Sequence, residues 1–200
     1  TGPQNDYSVA RQYLGQDFRT KWSPSDQVLI EASSPVINIV DESHATVTVT
    51  VQAQVDANGN YEEFAKPVEQ VLHFGTAREN GSVRITSAPN LTMLVRPVFE
   101  VLFSSYSLYF YDNARQYLVP DLRWFPARAS TSTRLVNELL AGPCKWLKAA
   151  VFTPMPSGTK LAIDAVTIDG TTAVVNLNAA ALQATAAAKQ YFKAQLTATL

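Results

Sequence analysis

Cysteine is almost absent from this sequence, and the side chains that commonly hold metals are few. Cys144 is the only cysteine among 200 residues, so the chain can form neither an intramolecular disulfide nor a cysteine-based metal site. A lone thiol of this kind is typical of a small buried apolar side chain rather than a nucleophile. His44 and His73 are the only histidines, and no third ligand stands at a matching spacing. We therefore expect no metal and no cofactor.

An excess of charge of one sign is missing as well, and so is any long apolar run. The net charge is −1, from 16 basic and 17 acidic residues, which gives no electrostatic reason to expect nucleic acid or an anionic membrane as a partner. No apolar stretch approaches the ~20 residues that span a bilayer. Residues 1–5 have neither the basic region nor the apolar run of a signal peptide. The composition predicts a soluble piece of a longer protein.

Catalytic motifs are the third absence. The sequence has no G-x-S-x-G nucleophile elbow, and no glycine-rich phosphate loop, since Gly142 and Gly158 stand alone. A pair of carboxylates could perform acid–base chemistry. However, Asp169 fits a turn, and Asp121 with Arg123 fits an ion pair at the end of a strand. The sequence therefore predicts a protein that is not an enzyme.

The first half of the chain carries the signals of a helix packed on an antiparallel sheet. Asp6 is the expected N-cap of a helix that Pro24 stops, because apolar residues recur between them at helical spacing (Tyr7, Ala10, Leu14, Phe18 and Trp22). Residues 45–55 alternate between a valine-rich and a threonine-rich face, as half-buried strands do. Asn58-Gly59 and Glu79-Asn80-Gly81 are hairpin turns. These signals predict an α+β domain with a helix on a curved, cone-shaped antiparallel sheet, similar to cystatins.

The second half is organised around residues 118–143, whose pattern predicts a strand, a capped turn, a helix and a stop. Leucine, valine, tryptophan and phenylalanine supply the strand. The hydroxyls that follow can accept the first N–H groups of the helix (Ser130, Thr131 and Ser132). Gly142 and Pro143 end this helix. The two tryptophans of the second half, Trp124 and Trp146, lie in apolar runs and are expected to belong to the core.

Further signals set the domain organisation. Asp169-Gly170 predicts a hairpin, and the alanine-rich residues 179–200 predict a long helix. No stop signal follows that helix, so we expect a further element beyond Leu200. We place the boundary between two α+β domains near Ser104-Ser105, which gives domains over residues 1–104 and 105–200.

Several stretches, taken in order, resemble known families. The second half is similar to the GerMN domain of sporulation and germination proteins through LYFYD, LVPDLRWFP, LLAGP, CKWL, PSGTKL, DGTTAVVNL and QLTATL, all within residues 108–200. The tryptophan-containing forms LVPDLRWFP and GPCKWL resemble more specifically the actinobacterial LpqB lipoprotein family. The first half is similar to the domain that precedes GerMN in that family, through residues 10–14, Trp22 and the hairpins up to residue 86.

The resemblance carries implications that the residues by themselves do not. It implies an α/β sandwich for the GerMN domain over 105–200, incomplete at its C-terminal end. It implies a lipid anchor upstream, a location at the outer face of the cytoplasmic membrane and a following β-propeller. It also implies association with the MtrA–MtrB two-component system through the extracytoplasmic domain of the sensor kinase MtrB. The lipobox cysteine, the usual opening helix and the propeller repeats are not in the sequence, which fits a piece of a longer protein.

Three hypotheses for the function stay open at this stage. The chain could be a binding module of a signalling lipoprotein, a structural spacer for a distal propeller, or a carrier of a small ligand in a cavity of its first domain. For a binding module, the residues not needed for a core are the candidates for the partner surface. The polar strand face around Thr46, Thr48, Thr50 and His73 is one choice. We favour the loop residues Arg115, Tyr117 and Arg128, because binding residues concentrate on loops.

Overall fold

The computed structural model describes residue 2 and residues 5–128 and 130–200, and the chain divides at Ser104. Thr1–Ser104 forms the first unit and Ser105–Leu200 the second. Both units combine sheets with a few helices, which confirms the α+β class. Within the described ranges, none of the helices has the length and apolarity of a membrane-spanning segment.

The first unit is built on one six-stranded sheet. Its strands are β1 (Gln27–Glu31), β2 (Val36–Ile39), β3 (His44–Asp56), β4 (Tyr61–Glu79), β5 (Ser82–Ser87) and β6 (Thr92–Val95). The order is β5-β4-β3-β1-β6, and β2 pairs with the part of β3 that β1 leaves free. β1 and β6 run parallel, whereas the other pairs are antiparallel. The curved antiparallel sheet is therefore confirmed.

The sequence pattern of this sheet is reproduced in the structure because it is local. Along β3, every second residue from Val47 to Val55 is buried and the residues between are half-buried. Asn80 and Gly81 both have a positive φ, 50° and 78°, as the tight turn between β4 and β5 requires. The buried face gathers one apolar cluster, formed by Leu29, Val47, Val49, Val51, Leu72 and Leu91.

The predicted helix over residues 7–22 is wrong. The structure has two single turns instead, α1 (Ser8–Arg11) and α2 (Gln16–Arg19). Between them the backbone pairs with the edge strand β5: the Gly15 N–H donates to the Ile85 carbonyl (2.8 Å), and the Ile85 N–H donates to the Tyr13 carbonyl (3.0 Å). Asp6 has a positive φ of 48° and does not cap α1, whose N-cap is Tyr7. Pairing with the sheet outweighs the helical pattern because it satisfies the same backbone groups.

The boundary predicted near Ser104-Ser105 lies at the start of a strand. A helix with Pro97 in its first turn is present as α3 (Arg96–Leu102). Ser104 and Ser105 then lie inside β7 (Phe103–Asp112) rather than in a loop. Both serines are exposed although successive strand residues point to opposite faces, so β7 is open to solvent on both sides at these two positions.

The second unit places a three-stranded sheet against two helices. The strands are β7, β8 (Leu118–Pro126) and β9 (Val151–Phe152), in the order β8-β7-β9. A separate hairpin joins β10 (Thr167–Asp169) to β11 (Thr172–Val174), as Asp169-Gly170 predicted. The helices are α4 (Thr131–Ala141) and α5 (Ala186–Thr199). Their apolar residues share one core with the sheet, including Leu108, Phe110, Phe125, Leu135, Leu139, Leu147 and Phe192.

One helix start and one helix cap of the second unit were predicted incorrectly. The alanine-rich segment is not one helix from residue 179, because a 3-10 turn (Ala179–Gln183) precedes α5. The helix begins only where the Thr185 hydroxyl accepts the Ala188 N–H (3.1 Å). At the start of α4, the N-cap Ser130 makes no side-chain capping bond. Thr131 instead binds the preceding turn, since its hydroxyl oxygen accepts the Arg128 N–H (3.0 Å).

Candidate functional site

The ion pair predicted between Asp121 and Arg123 is present, but it is buried in the middle of β8. The Arg123 Nε donates to Asp121 Oδ1 (3.1 Å) and its Nη2 donates to Oδ2 (2.8 Å). Both side chains are only 2% exposed. This bidentate geometry is the strong form of a charge-assisted hydrogen bond. The prediction of a strand-end pair is therefore wrong in its location and in its burial.

Two further elements converge on this pair. Glu138 of α4 places Oε2 3.8 Å from Arg123 Nη1, and Arg134 donates its Nε to Glu138 Oε1 (3.0 Å). The Cys144 N–H donates to Asp121 Oδ2 (2.7 Å). Burial by itself would raise the pKa of Asp121, but the hydrogen bonds from Arg123 and Cys144 outweigh it and lower that pKa. Burial raises the pKa of the Cys144 thiol.

The geometry of this cluster points to a structural role. Both oxygens of Asp121 accept hydrogen bonds from within the unit, and Arg123 lies between two carboxylates. A catalytic acid or base must reach a substrate, whereas these groups are closed off from solvent. The cluster instead ties β8 to α4 and to the segment that follows α4.

A Ser-x-x-Lys sequence at residues 157–160 has the spacing of the serine and lysine in penicillin-binding acyl enzymes. Here the sequence lies in a turn in which Ser157 and Lys160 are exposed, Thr159 is buried, and the Thr159 N–H donates to the Pro156 carbonyl (3.1 Å). Gly158 takes a left-handed φ of 82°. The backbone is not helical at this point, so the i, i+3 placement of serine and lysine on one helix face does not arise.

The turn between β7 and β8 is a well-ordered, exposed feature of the second unit. Asp112 Oδ1 accepts the N–H groups of Gln116 (2.7 Å) and Tyr117 (3.0 Å). These backbone hydrogen bonds, first of all the one from Tyr117, lower the pKa of Asp112. Arg115 has a positive φ of 59°, which is uncommon for a residue with a side chain. The hydrogen bonds of Asp112 therefore hold the turn in one conformation.

Asp112→Ala is expected to loosen this turn without unfolding the unit. The amide hydrogens of Gln116 and Tyr117 should exchange about tenfold faster or more, because their acceptor is gone. Lowering the pH should likewise reduce the protection factors of these two amides in the wild type, that is, their slowing relative to the intrinsic exchange rate at each pH. Since the folded pKa lies below the ordinary value for aspartate, the carboxylate orders the turn above that value and loses this role as the pH falls through the lowered pKa.

Hydrogen exchange followed by NMR measures the exchange rates of the Gln116 and Tyr117 amides, and Asp164→Ala is the control variant. Asp164 also accepts a side-chain hydrogen bond, from Asn137, but it is an exposed residue outside the β7–β8 turn. Equal exchange rates for Gln116 and Tyr117 in the wild type and in Asp112→Ala would contradict the assigned role of the carboxylate.

Trp146 is not in the core, contrary to the prediction. Its side chain is 77% exposed, whereas Trp124 is half-buried. The segment after α4 forms helical turns in which the Cys144 carbonyl accepts the N–H groups of Leu147 and Lys148 (both 3.1 Å). Cys144 and Leu147 face the core, so Trp146 points elsewhere. The sequence signal for an exposed Trp146 is the spacing of three between the apolar residues Cys144 and Leu147, with Lys145 and Lys148 on the other side of the helical turn.

The segment that carries the exposed tryptophan adjoins the β7–β8 turn. Asp112 pairs with Val151 in the antiparallel pair of β7 and β9, so the residues after Asp112 adjoin those before Val151. The Asn113 side-chain amide donates to the Ala149 carbonyl (3.0 Å). The Arg115 guanidinium lies 4.3 Å from the ring centre of Phe152. We call this region the turn surface; its members are Arg115, Tyr117, Lys145, Trp146 and Lys148.

Arg128 does not belong to the turn surface. It follows β8, whereas Arg115 and Tyr117 precede it. β8 has nine residues, so its ends lie roughly 26 Å apart at ~3.3 Å per residue. Arg128 is also half-buried, while Tyr117 is 71% exposed. The three residues proposed as one partner surface are therefore not brought together, and only the first two remain neighbours.

The alternative surface on β3 and β4 is less polar than predicted. Thr46, Thr48 and Thr50 are half-buried, and Thr48 lies between Val36 of β2 and Val71 of β4.

The described residues contain no group of three or more histidine, cysteine, aspartate or glutamate side chains placed to hold a metal.

Two protein families match the chain, one over each unit. The family described as "Lipoprotein LpqB, N-terminal domain" matches residues 1–100. The family described as "Sporulation and spore germination" matches residues 107–200. These matches confirm the two resemblances seen in the sequence. Neither description names an enzymatic activity.

The relatives include lipoproteins of several actinobacteria. Lipoprotein LpqB of Cutibacterium acnes is 30% identical over 98% of this chain and 33% of its own length. Lipoprotein LpqB of Thermobifida fusca is 28% identical over 80% of this chain and 28% of its length. That of Bifidobacterium longum is 26% identical over 88% and 33%. The chain thus spans about a third of the curated relatives it matches. No solved structure matches it.

Proposed function

Because the chain belongs to the LpqB lipoprotein family, we propose that it is the extracytoplasmic part of a lipid-anchored protein at the outer face of the cytoplasmic membrane. The name of its relatives supports the anchor, which would lie upstream of this sequence. We further propose two domains, an LpqB N-terminal domain over residues 1–104 and a GerMN domain over 105–200. The family matches to 1–100 and 107–200 and the division at Ser104 support this assignment.

The protein acts by contact in this proposal and catalyses no reaction. Its partner is the extracytoplasmic domain of the sensor kinase MtrB, so that the lipoprotein modulates the MtrA–MtrB two-component system. The observation that carries a contact role is the turn surface. It presents an exposed tryptophan and an exposed tyrosine beside three basic residues, on a turn held rigid by Asp112.

The composition of the turn surface suits a protein interface. Tryptophan, tyrosine and arginine are the residues enriched at interface hot spots, and pre-ordered loops lose little conformational entropy on binding. Trp146 and Tyr117 are 77% and 71% exposed in the free chain. The Arg115 guanidinium already lies over the ring of Phe152. The surface therefore offers large side chains that binding would bury, at a low cost of ordering.

Trp146→Ala and Tyr117→Ala are each expected to weaken binding to the MtrB extracytoplasmic domain by about 30-fold, corresponding to ~2 kcal/mol. Arg115→Ala should weaken it as well. Calorimetry or surface plasmon resonance with the purified domains measures the affinities. Tyr13→Ala is the matched control, because this tyrosine of the first unit is also exposed, at 61%, and should not affect binding.

The possible outcomes separate this proposal from its alternatives. If none of the turn-surface variants changes the affinity, the turn surface is not the docking site. If the wild-type chain itself does not bind the kinase domain, the spacer role becomes the better account. A stoichiometric metal, a bound small ligand or a hydrolytic activity in the purified chain would overturn the contact-only proposal.

A further inference from the structure

Strand β2 is an exposed apolar edge of the sheet in the first unit. Val36, Ile37 and Ile39 are 66%, 67% and 72% exposed, and Val40 directly after them is 57% exposed. One edge of β2 pairs with β3. Along its other edge, no strand of the described residues is paired. Single exposed apolar residues are ordinary on protein surfaces, but three on one four-residue edge strand, with a fourth directly after it, are not.

The hydrogen-bond register shows which backbone groups of β2 are free. The Val40 N–H donates to the His44 carbonyl (3.0 Å). In an antiparallel strand, the backbone hydrogen bonds to one neighbouring strand are made by every second residue. The backbone N–H and C=O groups of Asn38 therefore also face β3. The N–H and C=O groups of Ile37 and Ile39 consequently point away from β3. An incoming strand would meet these groups in the spacing that a sheet requires.

The side chains of the same two isoleucines lie on the face of the sheet that carries the buried residues of β3. Ile37 is paired with Val47, which is paired in turn with Leu72. Because paired residues project to the same face of a sheet, Ile37 extends the row of the buried residues Val47 and Leu72. Ile39 lies on that face too, two residues along the strand. An added strand could thus gain apolar contacts on this face as well as backbone hydrogen bonds.

The charges around β2 are of one sign. Residues 27–43 contain Glu31, Asp41 and Glu42 and no lysine or arginine. Asp41 accepts hydrogen bonds from the Ser43 N–H (2.7 Å) and hydroxyl (2.9 Å), and its Oδ1 lies 2.9 Å from His44 Nδ1. These bonds, first of all the one from the Ser43 backbone, lower its pKa to about 2, so Asp41 is anionic at physiological pH. The end of β2 therefore favours a basic partner.

The edge strand β5 of the same sheet is partly covered, unlike β2. The backbone of Tyr13 and Gly15 pairs with Ile85 and covers part of β5. β2 has no such cover in the described residues, and residues 36–40 contain neither lysine nor proline; the one proline at this edge is Pro35, directly before the strand.

We propose that β2 is a docking strand for an extended peptide segment of another protein, one with alternating apolar residues and a lysine or arginine pair beside Asp41 and Glu42. Such strand addition derives affinity from main-chain hydrogen bonds and specificity from alternate side chains. The segment pairs antiparallel to β2 through Ile37 and Ile39, so that its N-terminal end carries the basic pair. This inference is independent of the proposed function, because it concerns the first unit and a different surface.

The test uses the whole 200-residue chain and a blocked heptapeptide, Lys-Lys-Val-Thr-Val-Thr-Val. Without peptide, the amide hydrogens of Ile37 and Ile39 are expected to exchange faster than those of Asn38 and Val40. With peptide, the first two amides become protected. The matched control peptide, Glu-Glu-Val-Thr-Val-Thr-Val, should bind about fivefold more weakly than the lysine peptide at low salt.

Two variants make the outcome specific. Glu42→Lys should reduce or reverse the preference for the lysine peptide, because it changes the charge beside the strand without altering its backbone. Ile39→Pro removes an outward N–H that β3 does not use, and should abolish binding while circular dichroism shows the fold intact. If Ile39→Pro does not fold, the amide protection in the wild type still decides the question.

Three results would overturn the inference. One is the absence of peptide binding at millimolar concentration. Another is binding that leaves the Ile37 and Ile39 amides unprotected. The third is protection of these amides in the chain alone that rises with its concentration, which would identify a second copy of the chain as the occupant.

Discussion

Arg123→Met is expected to destabilise the chain by about 3–5 kcal/mol, the largest effect among its polar residues. The substitution keeps much of the side-chain volume and removes the charge. Asp121, 2% exposed, then stays buried without its bidentate partner, and Glu138 loses a second cation. Breaking one side of a buried ion pair costs more than the pair is worth, since the remaining charge is neither solvated nor neutralised.

Urea denaturation measures this effect, with Arg134→Met as the matched control. Arg134 contacts the same carboxylate, Glu138, but its side chain is 45% exposed, so its loss should cost less than about 1 kcal/mol. The double variant Asp121→Leu with Arg123→Met should recover much of the stability, because it leaves no unpaired charge. Equal destabilisation by Arg123→Met and Arg134→Met would contradict the assigned burial.

The stability of the wild type should also fall in acid through Asp121. Its folded pKa lies below the ordinary value of aspartate, near 3.9. The contribution of the ion pair is therefore fully present above that value and is lost as the pH falls through the lowered folded pKa.

Phe110→Ala is expected to destabilise the second unit by about 3–5 kcal/mol, because it empties the centre of the core. Phe110 is 0% exposed and packs within the cluster that β7, β8, α4 and α5 share. Trp146→Ala removes a larger side chain, yet it should change the stability by less than about 0.5 kcal/mol. Its ring is 77% exposed and contributes little burial.

Thermal and urea unfolding of the two variants checks this contrast. A loss of several kcal/mol in Trp146→Ala would restore the view of this residue as core. Unchanged stability combined with weaker binding to the kinase domain would instead place Trp146 in an interface. If Phe110→Ala leaves the free energy of unfolding unchanged, the second unit does not depend on one shared core.

The features predicted correctly from the sequence are those set by neighbouring residues. Asn80-Gly81 adopts positive φ at both positions because asparagine and glycine tolerate it, and the hairpin follows. The valine–threonine alternation of β3 defines a buried face whatever the strand packs against. The LpqB and GerMN resemblances rest likewise on short motifs, and the family matches confirm them.

The features predicted incorrectly depend on residues far apart in the chain. Leu14 lies in a helical pattern, but Ile85 pairs with it and interrupts the helix. Trp146 lies in an apolar run, but Cys144 and Leu147 occupy the core side of its turn. In each case a contact made by folding outweighs the local preference.

The sequence by itself determined the class of the fold, the main hairpins and the family, because these follow from periodicity, turn chemistry and motif identity. The tertiary structure alone decided that Asp121 and Arg123 are buried, that the segment carrying Trp146 adjoins the turn carrying Arg115 and Tyr117, and that the outer edge of β2 is open. The physical reason is that burial and proximity are properties of packed elements. A side chain has a hydrophobicity in the sequence, but only the folded chain determines whether that side chain meets the core, a charge or solvent.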